Sequence, residues 1–280
     1  MTMKYLIVSV LFLASLVSQA QRESLNYRSN LDKFKKHGAM VVSPDTQLVN
    51  ILKEYIDFGP VYGRDEVSPN SFKGVYILEF VNGLKFFTYS TYATAGYFLV
   101  INEKYMKAHE QPGSLAKSEF LVAMRVPGDI REKLPLYATV FNKLIHLTYE
   151  KDKDVSVLPG TGGINNALGN SILELKTKDL LIMQFEAGES ILNADRIKKT
   201  YPYKYTVKDM QDVLSAYENR EEGKAIFVFC PIGNAKGKYI IDCASGKLLY
   251  GTDHDSPSSY IHEKDLGMLN DAIKKAEAGK

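Results

Sequence analysis

The chain has 280 residues, of which 45% are hydrophobic, 24% charged and 11% aromatic. Those fractions exclude the intrinsically disordered, collagen-like and coiled-coil classes. Lys and Arg number 35 against 33 Asp and Glu, so no charge excess draws the protein to nucleic acid or to an anionic membrane.

The first residues carry an address. Met1-Thr2-Met3-Lys4 holds one positive side chain, Tyr5 to Val17 is an almost unbroken apolar run, and Ser18-Gln19-Ala20 ends it with small side chains. That pattern predicts a secretory signal peptide over residues 1–20, cleaved near Ala20-Gln21. As a helix the run spans only ~20 Å, short of a ~30 Å hydrocarbon core. The expected location is therefore secreted or periplasmic. No later segment approaches ~18 consecutive apolar residues, so no transmembrane segment is expected in the mature chain. No Asn-x-Ser/Thr sequon occurs, which points to a bacterial rather than a eukaryotic export route.

Residues 21–37 are polar and fit a short helix or an arm. Ser43-Pro44-Asp45 opens a helix in which Leu48, Ile51, Leu52 and Tyr55 share a face, and Gly59-Pro60 stops it. Val75–Val81 and Leu84–Thr91, joined by Asn82-Gly83, read as a hairpin with a two-residue turn. This register sets Tyr76 opposite Tyr89 and Leu78 opposite Phe87, on an aromatic core face. Strands are expected at Tyr97–Ile101 and Glu119–Val126. A helix follows from about Pro135 to Tyr149, with Phe141, Leu144, Ile145 and Thr148 inward and Asn142 and His146 outward. Lys151 to Asn166, charged and then Gly-rich, reads as a linker.

Beyond the linker, strands are expected at Ile172–Leu175 and Leu180–Phe185, then a helix near Ala194–Lys199. Tyr201-Pro202-Tyr203-Lys204-Tyr205 reads as extended, and Thr206 as the cap of a helix from Val207 to Asn219. Strands at Ala225–Cys230, Tyr239–Cys243 and Leu248–Tyr250 lead to a last helix from about His262 to Ala276. Both halves read helix, strands, helix, with no self-match in sequence. The predicted class is α+β, mainly antiparallel sheets flanked by helices. Two small domains are expected, 21–150 and 167–280, around a linker at 151–166.

Lys238 to Ala276 resembles the closing hairpin and last helix of thioredoxin-like domains. The matching residues are Tyr239-Ile240-Ile241-Asp242, the turn Ser245-Gly246-Lys247, Leu248-Leu249-Tyr250, and the helix after Glu263-Lys264-Asp265-Leu266. There is no Cys-x-x-Cys, and the segment before Tyr239 is too short for the helix that such a fold places there. The family's redox chemistry is therefore not carried over. Lys199 to Tyr250 resembles secreted bacterial proteins of unknown function, which implies a periplasmic or extracellular role.

Four features could carry chemistry. Cys230 and Cys243 are the only cysteines. If Pro231 to Lys238 connects a hairpin, Ile226 faces Cys243 and Cys230 faces Tyr239. The thiols then stand ~13 Å apart along the ladder, beyond the ~7 Å that a disulfide spans, so two buried unbridged thiols are expected. Asp253-His254-Asp255, with His262 and Glu263 shortly after, could ligate a metal or could be a solvated turn and helix cap. Gly160-Thr161-Gly162-Gly163 could nest an anion or serve as a flexible linker. Tyr201, Tyr203 and Tyr205 alternate along an extended stretch and could form a ligand or partner surface, or pack on a sheet.

No Gly-x-Ser-x-Gly or His-Glu-x-x-His occurs, and no motif calls for a cofactor. The expected function is a secreted binding or interaction module for an extracytoplasmic protein or glycan. The alternative is a secreted hydrolase whose groups come from separate loops.

Overall fold

The computed structural model describes residues 27–78, 95–102, 120–127, 131–152, 164–232, 235–255 and 260–279. The first half contains α1 (Tyr27–His37), β1 (Ala39–Val42), α2 (Thr46–Tyr55), β2 (Val61–Gly63), β3 (Val75–Leu78), β4 (Ala95–Asn102), β5 (Phe120–Pro127) and α3 (Leu134–Lys151). The second half contains α4 (Ile164–Leu168), β6 (Asp179–Met183), α5 (Glu189–Leu192), α6 (Ala194–Thr200) and β7 (Tyr205–Lys208). It continues with α7 (Met210–Glu218), β8 (Lys224–Ile232), β9 (Ala235–Asp242), β10 (Leu248–Asp255) and α8 (Glu263–Glu277). No helix of the described residues is long and apolar enough to cross a membrane. The signal-like residues 1–20 and the Gly-rich stretch at 160–163 lie outside the described residues.

The fold is α+β, with two mixed sheets. The first has the order β2-β1-β3-β4-β5 and the second β7-β6-β8-β9-β10. In each, the strand second in the order has two parallel neighbours, β2 and β3 around β1, β7 and β8 around β6. The last two strands of each sheet add antiparallel. Order and direction are thus the same in both halves, a repeat that no sequence match reveals.

Local signals explain many boundaries. Asp45 Oδ1 accepts the N–H groups of Gln47 at 3.0 Å and Leu48 at 3.4 Å, capping α2. Gly38 turns the chain from α1 into β1 at φ 84°, and a Cβ there would meet Pro60 O at 2.6 Å, so only glycine fits.

Several expectations are corrected. Tyr76 pairs with Ile101 and Leu78 with Leu99, rather than with Tyr89 and Phe87; on its other side β3 runs along β1. Val75 and Ile77 enter the main core, whereas Tyr76 packs on Phe72, with ring centroids 5.5 Å apart. The turn dipeptide is a local signal, and residues 79–94 lie outside the described residues. Ile172–Leu175 belongs to a 3₁₀ segment, not a strand. A segment of four residues is too short to reveal its period, and Ile172 and Leu175, three apart, both reach the second core. Thr206 lies within β7, its hydroxyl donating to Asp179, and the next helix starts only at Met210. In β8 and β9, Ile226 pairs with Ile241 and Cys230 with Gly237. The ladder runs on through Pro231, so the register differs by two residues from the expected one.

The main core lies between the sheets and is filled by α1, α2, α3 and α7. The second core lies on the far face of the second sheet, under α5, α6 and α8. α3 is the middle layer, burying Leu136, Tyr137, Ala138, Val140, Phe141, Asn142, Leu144 and Ile145. A helix buried on most sides needs apolar residues beyond a single stripe. Asn142 therefore turns inward, not outward as its place in the pattern suggested.

The turn at Arg131–Lys133 ties the halves together. Arg131 Nη1 reaches Asp45 Oδ2 at 2.6 Å, at the end of β1. Lys133, fully buried, pairs with buried Glu186 just past the end of β6, and donates to Phe229 O at 2.8 Å. β8 outruns β6 there, since their pairing stops at Leu181 and Ile226, and Lys133 fills the vacated edge. Burial pushes the Glu186 carboxyl above the usual carboxylate range, although Lys133 pulls it back. Lys133→Met would leave that carboxylate buried without its cation. We expect a loss of about 3–5 kcal/mol in urea denaturation, most of it recovered by Lys133→Met with Glu186→Leu.

Candidate functional site

A cleft of about 610 Å³ lies between the two halves. Glu54 and Tyr55 from the end of α2, with Asp57 beyond it, form one wall. Thr139, Asn142 and Lys143 of α3 form the floor. Tyr217, Glu218 and Arg220 from the end of α7, with Cys243–Gly246 from the β9–β10 turn, form the opposite wall. Two smaller cavities occupy about 350 Å³ beside α4 and α8 and about 270 Å³ beside Tyr62 and Phe72.

The cleft side chains are held from behind. Asn142 Nδ2 donates to Asp57 Oδ1 at 2.8 Å, and the Asp57 N–H donates back to Asn142 Oδ1 at 3.3 Å. His146 Nε2 bonds the same carboxylate oxygen at 2.7 Å, while the His146 ring meets Phe58 edge-on at 5.1 Å. Partial burial raises the Asp57 pKa, but the hydrogen bonds from His146 and Asn142 outweigh it and hold the group below the usual carboxylate range. Asn142 and His146 stand four apart on α3, so one helix face delivers both to Asp57.

Two tyrosines form the aromatic part. The Tyr55 and Tyr217 rings lie 6.5 Å apart and 24° from parallel. Thr139 Oγ1 donates to Pro135 O at 2.9 Å, so in its bond with Tyr217 the phenol is the donor. Burial, then Glu54, Tyr217 and Glu218, push the Tyr55 phenol up. The turn is fixed by Asp242, whose Oδ2 accepts the Ser245 N–H at 3.1 Å and hydroxyl at 2.5 Å. Cys243 beside it is buried, and its thiol is pushed up to about 12 by burial, then by Asp242 and Glu221. It stays protonated and is no nucleophile.

The residues singled out from sequence lie elsewhere, apart from Cys243. Tyr201 is buried, meeting Tyr203 at 5.4 Å and Tyr205 at 6.5 Å. Tyr203 and Tyr205 are half-buried against the second core, and Tyr205 donates to Ile191 O at 2.8 Å. Asp253, His254 and Asp255 are not in a loop, because β10 continues opposite Gly237, Lys236 and Ala235; their side chains lie outside the described residues. Among the described residues no three His, Cys, Asp or Glu groups gather around a common point. Cys230 and Cys243 are both buried thiols without a disulfide. Cys243 N–H donates to Lys224 O, six positions before Cys230, or about 20 Å along the strand. His262 Nδ1 lies 3.3 Å from Ser190 Oγ, but that oxygen already accepts the Glu263 N–H at 3.1 Å and ties the start of α8.

Comparison with protein-family models, curated proteins and solved structures gives no match for this chain. The cleft rests on its geometry alone.

Because the folded Asp57 pKa is depressed, its contribution to stability is complete above the unfolded carboxylate value of about 3.9 and is lost as pH falls through the lower folded value. Thermal melts below about pH 4 should show a shallower loss of Tm in Asp57→Asn than in wild type.

Proposed function

We propose that the protein is an extracytoplasmic binding module that holds a small polar ligand in the cleft between α2, α3, α7 and the β9–β10 turn. The observation that carries this reading is the cleft of about 610 Å³ walled by both halves. That volume falls within the ~300–1,000 Å³ typical of ligand pockets. Its polar groups are held by neighbours rather than left loose: Asp57 by Asn142 and His146, Tyr217 by Thr139, Ser245 by Asp242. Such fixed groups bind with little ordering cost. The cleft's thiol stays protonated, which favours holding a ligand over attacking one. The export-like residues 1–20 support a place outside the cytosol, where a module of this kind meets free solutes.

Ala244 lines the cleft on the turn, and Ala244→Trp would fill it. Thermal shift measurements with amino acids, dipeptides, amines and saccharides should show at least one class raising the wild-type Tm by a few degrees. Ala244→Trp should fold, by circular dichroism, and lose that response. A folded variant that keeps the response, or a wild type that responds to no class, would overturn the reading.

A further inference from the structure

Arg220 ends α7 in the left-handed region, with φ 52°. Its N–H donates to Tyr217 O at 3.0 Å, and the next N–H, of Glu221, donates to Ala216 O at 3.0 Å. This is the reversed helix ending at which glycine is the ordinary residue, because a Cβ there strains the backbone. Gly223, three residues on, shows that the same loop uses glycine elsewhere, at φ 68°. An arginine kept at a glycine position points to a use for its guanidinium, and Arg220 lines the cleft.

The cleft contains charges of both signs. Among the described residues no ion pair joins Arg220, Lys143, Glu54 or Glu218 to a partner. Glu54 and Glu218 line the cleft with Tyr55 and both act on its phenol, whereas Arg220 acts on the Tyr217 phenol. Carboxylates next to aromatic faces suit an ammonium group. A guanidinium suits a carboxylate, which it can grip with two parallel hydrogen bonds.

We infer that the cleft takes a zwitterionic ligand of amino-acid or short-peptide size, its ammonium beside Glu54, Glu218 and the Tyr55 ring and its carboxylate on Arg220 at the Tyr217 side. This rests on the cleft reading above and names its ligand class.

The test is calorimetric and NMR titration of the mature chain with an equimolar library of free dipeptides, the N-acetylated library, the C-amidated library, and maltose. The free library should bind and shift the resonances of cleft residues, and each blocked library should bind about tenfold or more weakly. Arg220→Gly relieves the backbone strain while removing the guanidinium. It should therefore melt no lower than wild type, yet bind free and amidated libraries alike. A combined Glu54→Gln, Glu218→Gln variant should bind free and acetylated libraries alike. Blocked libraries that bind as well as the free one would overturn the zwitterion inference, as would a well-folded Arg220→Gly that keeps its preference. Maltose binding in the cleft without dipeptide binding would overturn this inference and leave the cleft reading standing. Binding by none of these, together with no thermal response to any class, would remove both.

Discussion

A single ammonium group decides how the two halves meet. Lys133 stands just before α3, the middle layer, and its Nζ reaches Glu186 and Phe229 O in the second sheet, with the Tyr137 ring 5.0 Å away. A carbonyl on a strand edge that has outrun its neighbour must find a donor if it is buried. A carboxylate left without water must find a cation. Lys133 answers both demands at once. The pair adds little net stability relative to apolar residues of the same shape, because desolvation consumes most of its Coulombic gain. Its weight is in geometry: any other placement of α3 on the second sheet strands at least one buried charge. Arg131, two residues earlier, is bound to the Asp45 cap of α2, so the same turn also fixes the first half.

That placement shapes the cleft at the other end of the helices. α2 runs from its cap at Asp45 toward Tyr55, and α7 from Asp209 toward Arg220. Both pack into the main core against α3. Their last turns emerge on the same side as Asn142, His146 and the β9–β10 turn, so packing brings together groups distant in sequence. Asp57 is 85 residues from Asn142 along the chain, and Thr139 is 78 from Tyr217. The mechanical consequence is that the groups lining the cleft are borne by element ends that a continuous core holds in place.

The elements that were legible in the sequence are those whose signals are local. The Asp45 cap, the apolar stripe of α8 and the unbroken apolar run of β8 follow directly from capping, the 3.6-residue period and burial on both faces. The parallel pairings were not legible, because β2 and β7 are short strands of half-buried residues whose partners are chosen by crossovers rather than turns. The cleft was illegible for a related reason. Asn142 and His146 looked like an outward polar stripe because a single-stripe reading assumes one buried face, and α3 has several. A signal for them did exist in Asp57, whose position after the helix end left a carboxylate with no local task. Arg220-Glu221-Glu222-Gly223 reads in sequence as a charged turn, and only the backbone angle shows that the glycine-like position belongs to the arginine.

The repeat bears on why the cleft at the junction is not duplicated within it. In each half the first crossover and the closing helix lie on one face of the sheet: α2 and α3 in the first half, α5, α6 and α8 in the second. The second crossover lies on the other face, Phe72 against Tyr62 and Tyr76 in the first half, α7 in the second. The main core contains α2 and α3 together with α7, so the front of the first half packs on the back of the second. This is head-to-tail stacking, as between neighbouring units of a repeat protein, and it differs from a two-fold pairing, which would bring like faces together. A two-fold arrangement would have duplicated any junction site. Head-to-tail stacking makes the junction unique: the end of a first-crossover helix meets the end of a second-crossover helix once only. The different side chains at those two ends, Tyr55 with Glu54 on one and Tyr217 with Arg220 on the other, are thus free to present unlike charges to the same cleft.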